Sequence, residues 1–185
     1  MEKDRNNTEA LYALGRIYYQ QNRFPEAVEQ LKRVVELEPD NYKAHDNLAL
    51  AYDALWQDAD ALRHFFKALD LVKKDHPDYD WAYSNFAGFF LRRDQFEKAF
   101  QLAVEATKRN PNSPRNFFLT GKALTKLGKD ENAVRWLERA VELDPGYHES
   151  WYLLGQTYRK LGRNAEAKAA LERFEEARQN PRPRR

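Results

Sequence analysis

The 185 residues contain no cysteine, which excludes disulfides, thiolate metal ligands and a thiol nucleophile. Glycine and proline are scarce, at 7 and 8 residues, so the chain is neither collagen-like nor a low-complexity tract. No apolar run approaches the ~20 residues of a membrane span, and direct membrane insertion is not expected. The opening Met1-Glu2-Lys3-Asp4-Arg5 is too polar for a signal peptide. The compartment stays open on these grounds: a soluble protein of the cytoplasm, or of the periplasm if a leader was removed. Charge of one sign is also lacking. Lys and Arg total 31 against 29 Asp and Glu, a net +2, so nucleic acid is not an expected partner.

Chemistry-bearing motifs are missing too. The histidines, His45, His64, His76 and His148, show neither HExxH nor any i,i+4 pairing, so no metal site is expected. His45 and His64 lie in one unit and could approach each other, but packing or solvation is their expected role. Gly121-Lys122 lacks the upstream glycine of a phosphate loop. Ser84, Ser113 and Ser150 sit in no nucleophile elbow, and Asn6-Asn7-Thr8 matches a glycosylation acceptor at chance level only. Neither an enzyme nor a cofactor is expected.

What is present is a period. Alanine recurs at one equivalent place as Ala27, Ala61, Ala99, Ala133 and Ala167, with spacings of 34 except for one of 38. Twelve residues earlier stand Gly15, Ala49, Ala87, Gly121 and Gly155, and Pro39, Pro111 and Pro145 close three of the units. Each unit carries two apolar stripes at spacings of three and four, the pattern of paired helices. In the first unit, Leu11, Leu14 and Tyr18 form one stripe, and Ala27, Leu31 and Val34 the other. A small pair such as Gly15 and Ala27 lets two antiparallel helices approach. Ser113-Pro114 and Pro25 mark helix starts.

These residues resemble the tetratricopeptide repeat. Trp151, Leu154-Gly155, Tyr158, Ala167 and Leu171 carry its signature in the fifth unit, and Leu11, Leu14-Gly15, Tyr18, Ala27, Leu31 and Pro39 in the first. The resemblance implies an all-α, right-handed superhelical array of antiparallel helix pairs. Its single domain spans 8–178, with repeats at 8–41, 42–75, 80–113, 114–147 and 148–178. Residues 1–7 form a polar or disordered lead and 179–185 a disordered basic tail. Lys73 replaces proline just before the extra His76-Pro77-Asp78-Tyr79, so the second helix of unit two is expected to run long. That insertion is read as a harmless loop, or as a tilt that alters the curvature of the groove. A looser likeness, to bacterial pilus-biogenesis tetratricopeptide lipoproteins, rests on Ala44-His45, Leu48-Ala49, Lys67-Ala68-Leu69, Asn85-Phe86-Ala87-Gly88-Phe89 and Phe96-Glu97-Lys98-Ala99-Phe100-Gln101. The chaperone-tail clamp of the same family is not matched beyond Asn85 and Arg115.

The resemblance further implies that the first helices of the units line a concave groove, holding a protein or extended peptide. Its stripe yields Tyr12, Arg16, Tyr19, Asn47, Trp81, Asn85, Arg92, Arg115, Phe118, Lys122, Lys126, Tyr152, Gln156, Arg159 and Lys160 as groove residues. In units three to five, cations face Glu149 alone, with aromatics between them, a mixture suited to a ligand with acidic groups and apolar anchors. The function expected is a non-catalytic interaction scaffold. The alternative is an assembly factor of a bacterial envelope or pilus machine, acting through its ends or convex face. At the ends the chain is unequal. Lys168 and Glu175 stand where earlier units are mostly apolar, which makes the last helix a polar cap. Ala10, Leu11 and Ile17 give the first helix an apolar face, read as ordinary surface exposure, or as a face covered by further residues or by a second copy in self-association.

Overall fold

A computed structural model describes residues 7–179, and the expectations for 1–6 and 180–185 lie outside the described residues. Among the described residues the chain is ten helices and no strand. They are α1 (Thr8–Gln20), α2 (Phe24–Leu37), α3 (Tyr42–Ala54), α4 (Asp58–Asp75), α5 (Trp81–Arg92), α6 (Phe96–Arg109), α7 (Pro114–Lys126), α8 (Asp130–Leu143), α9 (His148–Lys160) and α10 (Asn164–Gln179). This is the all-α helical-repeat solenoid class. The chain divides into two compact units, residues 1–85 and 86–185, and the division falls within α5.

Local signals explain the helix ends. Asn7 and Asn41 cap α1 and α3 by accepting from the amides of Ala10 and Ala44, at 3.1 and 3.0 Å. Ser113 holds the cap position of α7 without a side-chain cap bond, and Pro114 opens the helix. Pro25 sits one residue inside α2, which begins at Phe24. Helix α4 has 18 residues where α2, α6 and α8 have 14, as the loss of proline at Lys73 implies.

Within the first unit, Leu11, Val34 and Ala44 form a buried cluster with Tyr12 and Val35 packed against it. Leu11 is therefore core, not part of the exposed apolar face. Leu14, assigned to the same stripe, is 36% exposed. Within the second unit, Val134, Leu137 and Val141 of α8 pack with Leu154 and Tyr158 of α9 and with Ala167 and Ala170 of α10. Fully burying one such large aliphatic stabilises by roughly 1.5–3 kcal/mol. The i,i+3 ion pairs, such as Arg23–Glu26 and Arg139–Glu142, are exposed and screened by solvent, so packing dominates.

Close approach inside a pair depends on the small residue. A Cβ added at Gly121 would stand 2.6 Å from Leu137 Cγ, and one at Gly15 2.7 Å from Leu31 Cγ. The leucine, rather than the equivalent of Ala27, is thus the nearest obstacle. The turn joining each pair poses a different demand. Asn22, Trp56, Asp94, Gly128 and Gly162 occupy one repeat position, and all have positive φ, from 55° to 73°. Trp56 holds this left-handed geometry with its side chain 72% exposed.

These two glycine roles separate by mutation. Gly121→Ala should lower stability by about 1–3 kcal/mol through overpacking. Gly128→Ala meets no atom within 4 Å and should cost only about 1–2 kcal/mol, from its left-handed backbone. Urea titrations of both variants check this. A neutral Gly121→Ala would refute the steric account.

Candidate functional site

Two hollows collect most of the expected groove residues, one in each unit. In the first unit, a hollow of ≈ 500 Å³ is lined by Tyr12, Arg16, Tyr19, Asn47, Trp81 and Asn85, together with Lys43, Asp46 and Tyr79 among others. Asp46 is 1% exposed, and its Oδ2 accepts from the Asn85 amide at 2.9 Å and the Tyr79 hydroxyl at 3.1 Å. Burial and the adjacent Asp46 carboxylate push the Tyr79 hydroxyl well above the usual phenol range. Asn47 donates to the Tyr12 hydroxyl at 3.0 Å and to the Lys43 carbonyl at 2.8 Å. Burial also raises the Tyr12 phenol. Trp81 is half exposed, so its indole is offered to solvent rather than wedged.

Tyr79 was not among the expected site residues. It belongs to the four-residue insertion, which therefore supplies a wall of this hollow. Its ring also meets Tyr42 edge-on at 4.8 Å, and His76 lies 4.0 Å from the other side of that contact network, on Tyr42. An aromatic inserted just before a groove helix was the available signal.

The second unit carries a more apolar hollow of ≈ 430 Å³. Phe118, Tyr152 and Phe174 form its aromatic walls, with Lys122, Lys126, Glu149 and Gln156 around them. Spacings of three and four place Phe118, Lys122 and Lys126 on one face of α7. Lys122 is half-buried, with its ammonium 5.8 Å from the Phe118 ring centre, and Lys126 lies 5.9 Å from that of Phe96. Burial, then Lys126 and Arg92, lower the Lys122 pKa. Among the described residues, neither Lys122 nor Lys126 pairs with a carboxylate. Tyr147 stacks edge-on against Phe118 at 5.3 Å, and burial pushes its phenol up to about 12.

Phe174 was likewise missed. It lies 5.3 Å from the Tyr152 ring, on the second helix of the last pair. The equivalent places earlier are Val34, Ala68, Ala106 and Ala140, all 0% exposed. A phenylalanine among small aliphatics was the readable sign. Other expected residues lie elsewhere. Arg159 lines a separate hollow with Lys168, Glu172 and Glu175, and Lys160 faces Asp130 at 3.7 Å. Arg92 stands beside Gly88, whose added Cβ would meet its guanidinium at 3.4 Å. Arg115 is half-buried near Tyr147.

A model of the TPR repeat matches residues 15–55 and 121–162, and a model of the tetratricopeptide repeat matches 148–181. The chain belongs to the tetratricopeptide-repeat family. No curated protein matches it by sequence. Among solved structures, PilF of Pseudomonas aeruginosa superposes with a TM-score of 0.84 at 21% identity, over 96% of this chain and 78% of that one. MamA of Desulfovibrio magneticus RS-1 gives 0.76 at 18%, over 94% and 96%. YrrB, described as a TPR protein with an unusual peptide-binding site, gives 0.68 at 19%, over 95% and 89%. At these identities the likeness is one of fold. A tetratricopeptide-repeat fold is a protein-interaction scaffold, and protein or peptide is the partner class it implies. Among the described residues no helix is long and apolar enough to cross a membrane.

One polar cluster lies outside the expected groove set. His45 and His64, 7% and 8% exposed, face each other Nδ1 to Nδ1 at 2.9 Å. His45 Nε2 donates to the Pro39 carbonyl at 2.9 Å, which leaves its Nδ1 to accept from His64. His64 Nε2 then faces the Arg63 guanidinium at 3.5 Å. Protonating both rings would set like charges against each other. Burial, then His45 and Arg63, lower His64 to about 4, and burial also lowers His45 against the smaller opposing pull of its hydrogen bond to the Pro39 carbonyl. Both folded-state pKa values lie below that of the unfolded chain, so the unfolded state takes up protons first. Stability should be full above about pH 7 and fall as pH drops from ~6.5 toward 4. Urea unfolding should show a loss of about 1–2 kcal/mol between pH 7 and pH 5. His64→Gln should flatten that slope, and an unchanged slope would remove the pair as its source.

Proposed function

We propose that this chain is a non-catalytic scaffold that anchors a protein or extended peptide segment in the hollow of Phe118, Tyr152 and Phe174. An apolar ligand side chain fills the aromatic walls, and an acidic group of the ligand meets Lys122 and Lys126. The observation that carries this reading is the half-buried Lys122, which has like-charged neighbours and no carboxylate partner. A cation held partly out of water without an anion is costly on its own, and an incoming carboxylate offsets that cost. The polar hollow of the first unit, lined by Arg16, Gln20 and Lys43 among others, supplies donors suited to a peptide backbone. A second reading, an assembly factor of a bacterial envelope machine acting through its ends, draws on the exposed Ala10, Leu14 and Ile17.

The test uses pooled ten-residue peptides carrying one Phe or Leu beside Asp or Glu, against the same pool with Lys in place of the acid. The acidic pool should bind and the basic pool should not. Removing one true anchor costs about 2 kcal/mol or more, so Phe118→Ala with Tyr152→Ala should cut affinity at least thirtyfold. Lys126→Glu should chiefly slow association and weaken its salt dependence. Retained affinity in the double variant, with circular dichroism unchanged, would place the anchor elsewhere.

A further inference from the structure

We propose that α1 is a self-association face, on which a second copy of this chain docks its own α1. The argument starts from repeat equivalence. In α3, α7 and α9, the third, seventh and tenth residues of the repeat are buried to 2% exposure or less. They are Ala44, Leu48 and Ala51, then Asn116, Thr120 and Ala123, then Ser150, Leu154 and Thr157. In those places the second helix of the preceding pair lies against the first helix, α2 on α3, α6 on α7 and α8 on α9. The same positions in α1 are Ala10, Leu14 and Ile17. All three are exposed, Leu14 at 36% and Ile17 at 47%. The surface has the composition of a covered helix, and among the described residues no helix lies against it.

The occupant follows from what the last helix offers. The residues of α10 that would meet a further first helix include Lys168 and Glu175, both exposed. Laying α1 of another copy on them would strip water from their charges. Head-to-tail stacking, which leads to open chains of subunits, is therefore disfavoured. An isologous contact meets no such charge. Two α1 helices packed antiparallel, centred between Ala13 and Leu14, set Ala10 opposite Ile17 of the second copy and Leu14 opposite Ala13. Each crossing then matches a small residue with a large one, the interlocking that helix packing requires. The stripe is only two turns long and covers less than the ~800 Å² per partner of a standard interface. The dimer is consequently weak and dissociates on dilution.

Sedimentation velocity over rising concentration tests this. The full chain should shift from monomer toward dimer and stop there. Leu14→Glu with Ile17→Glu, both at exposed positions that leave the fold intact by circular dichroism, should raise the apparent dissociation constant at least tenfold. The cysteine-free sequence provides a register test. A mixture of Ala10→Cys and Ile17→Cys chains should oxidise to the mixed dimer in preference to either homodimer, and Glu175→Cys should not dimerise. A strict monomer at millimolar concentration, growth beyond two copies, a dimer indifferent to the double glutamate variant, or equal crosslinking through Glu175→Cys would each overturn the proposal.

Discussion

The constraint on which the rest of the molecule depends is the approach of two helices at the eighth residue of a repeat. At Gly15, Gly121 and Gly155 the missing Cβ is what leaves room for the buried or half-buried Leu31, Leu137 and Leu171. A helix brought that close to its partner commits one stripe to the pair. The faces left over can then only do two things, cover the neighbouring pair or face solvent. In α3, α7 and α9 the third, seventh and tenth positions take the first role; the second, fifth, ninth and twelfth stay half-buried or exposed in α1, α7 and α9, whereas Asp46, Asp53 and Ser84 at such places are buried. The same steric requirement that fixes the pair leaves Phe118 and Lys122 half-buried and Tyr152 exposed around one hollow.

Much of this was legible in the residues because it is periodic. The recurrence of alanine at Ala27, Ala61, Ala99, Ala133 and Ala167 and of small residues twelve places earlier reveals paired helices without any structure. The long α4 follows from Lys73 standing where proline closes other units. The gathering of Phe118, Lys122, Lys126, Tyr152 and Gln156 around one hollow follows from helical spacing and repeat equivalence. These inferences need only the phase of a helix, which the sequence displays directly.

What was not legible breaks the period. Tyr79 lies in an insertion that aligns with nothing, so no repeat position assigned it a direction. Its hydroxyl nonetheless reaches Asp46, 33 residues away. Phe174 sits at a place where earlier units bury a small aliphatic, and here its ring meets Tyr152 instead. Leu11 was misplaced for a related reason. Apolar character alone does not say which side of α1 is covered, and Val34 and Ala44 decide it. The His45–His64 contact depends on ring orientation, which spacing in the sequence does not encode.

The two hollows differ in how they handle charge, and that difference constrains what each can recognise. Around Asp46 the Oδ2 of the buried carboxylate is met by the neutral donors of Tyr79 and Asn85. A ligand there competes with an existing network and gains little by inserting a charge. Around Lys122 the balance runs the other way. Its ammonium is half-buried beside an aromatic ring, its neighbours Lys126 and Arg92 repel it, and that cost is left standing in the free protein. An anion arriving at Lys122 removes a penalty that already exists, whereas one arriving near Asp46 would create one. On the proposed function, recognition of an acidic ligand group is therefore the second unit's contribution.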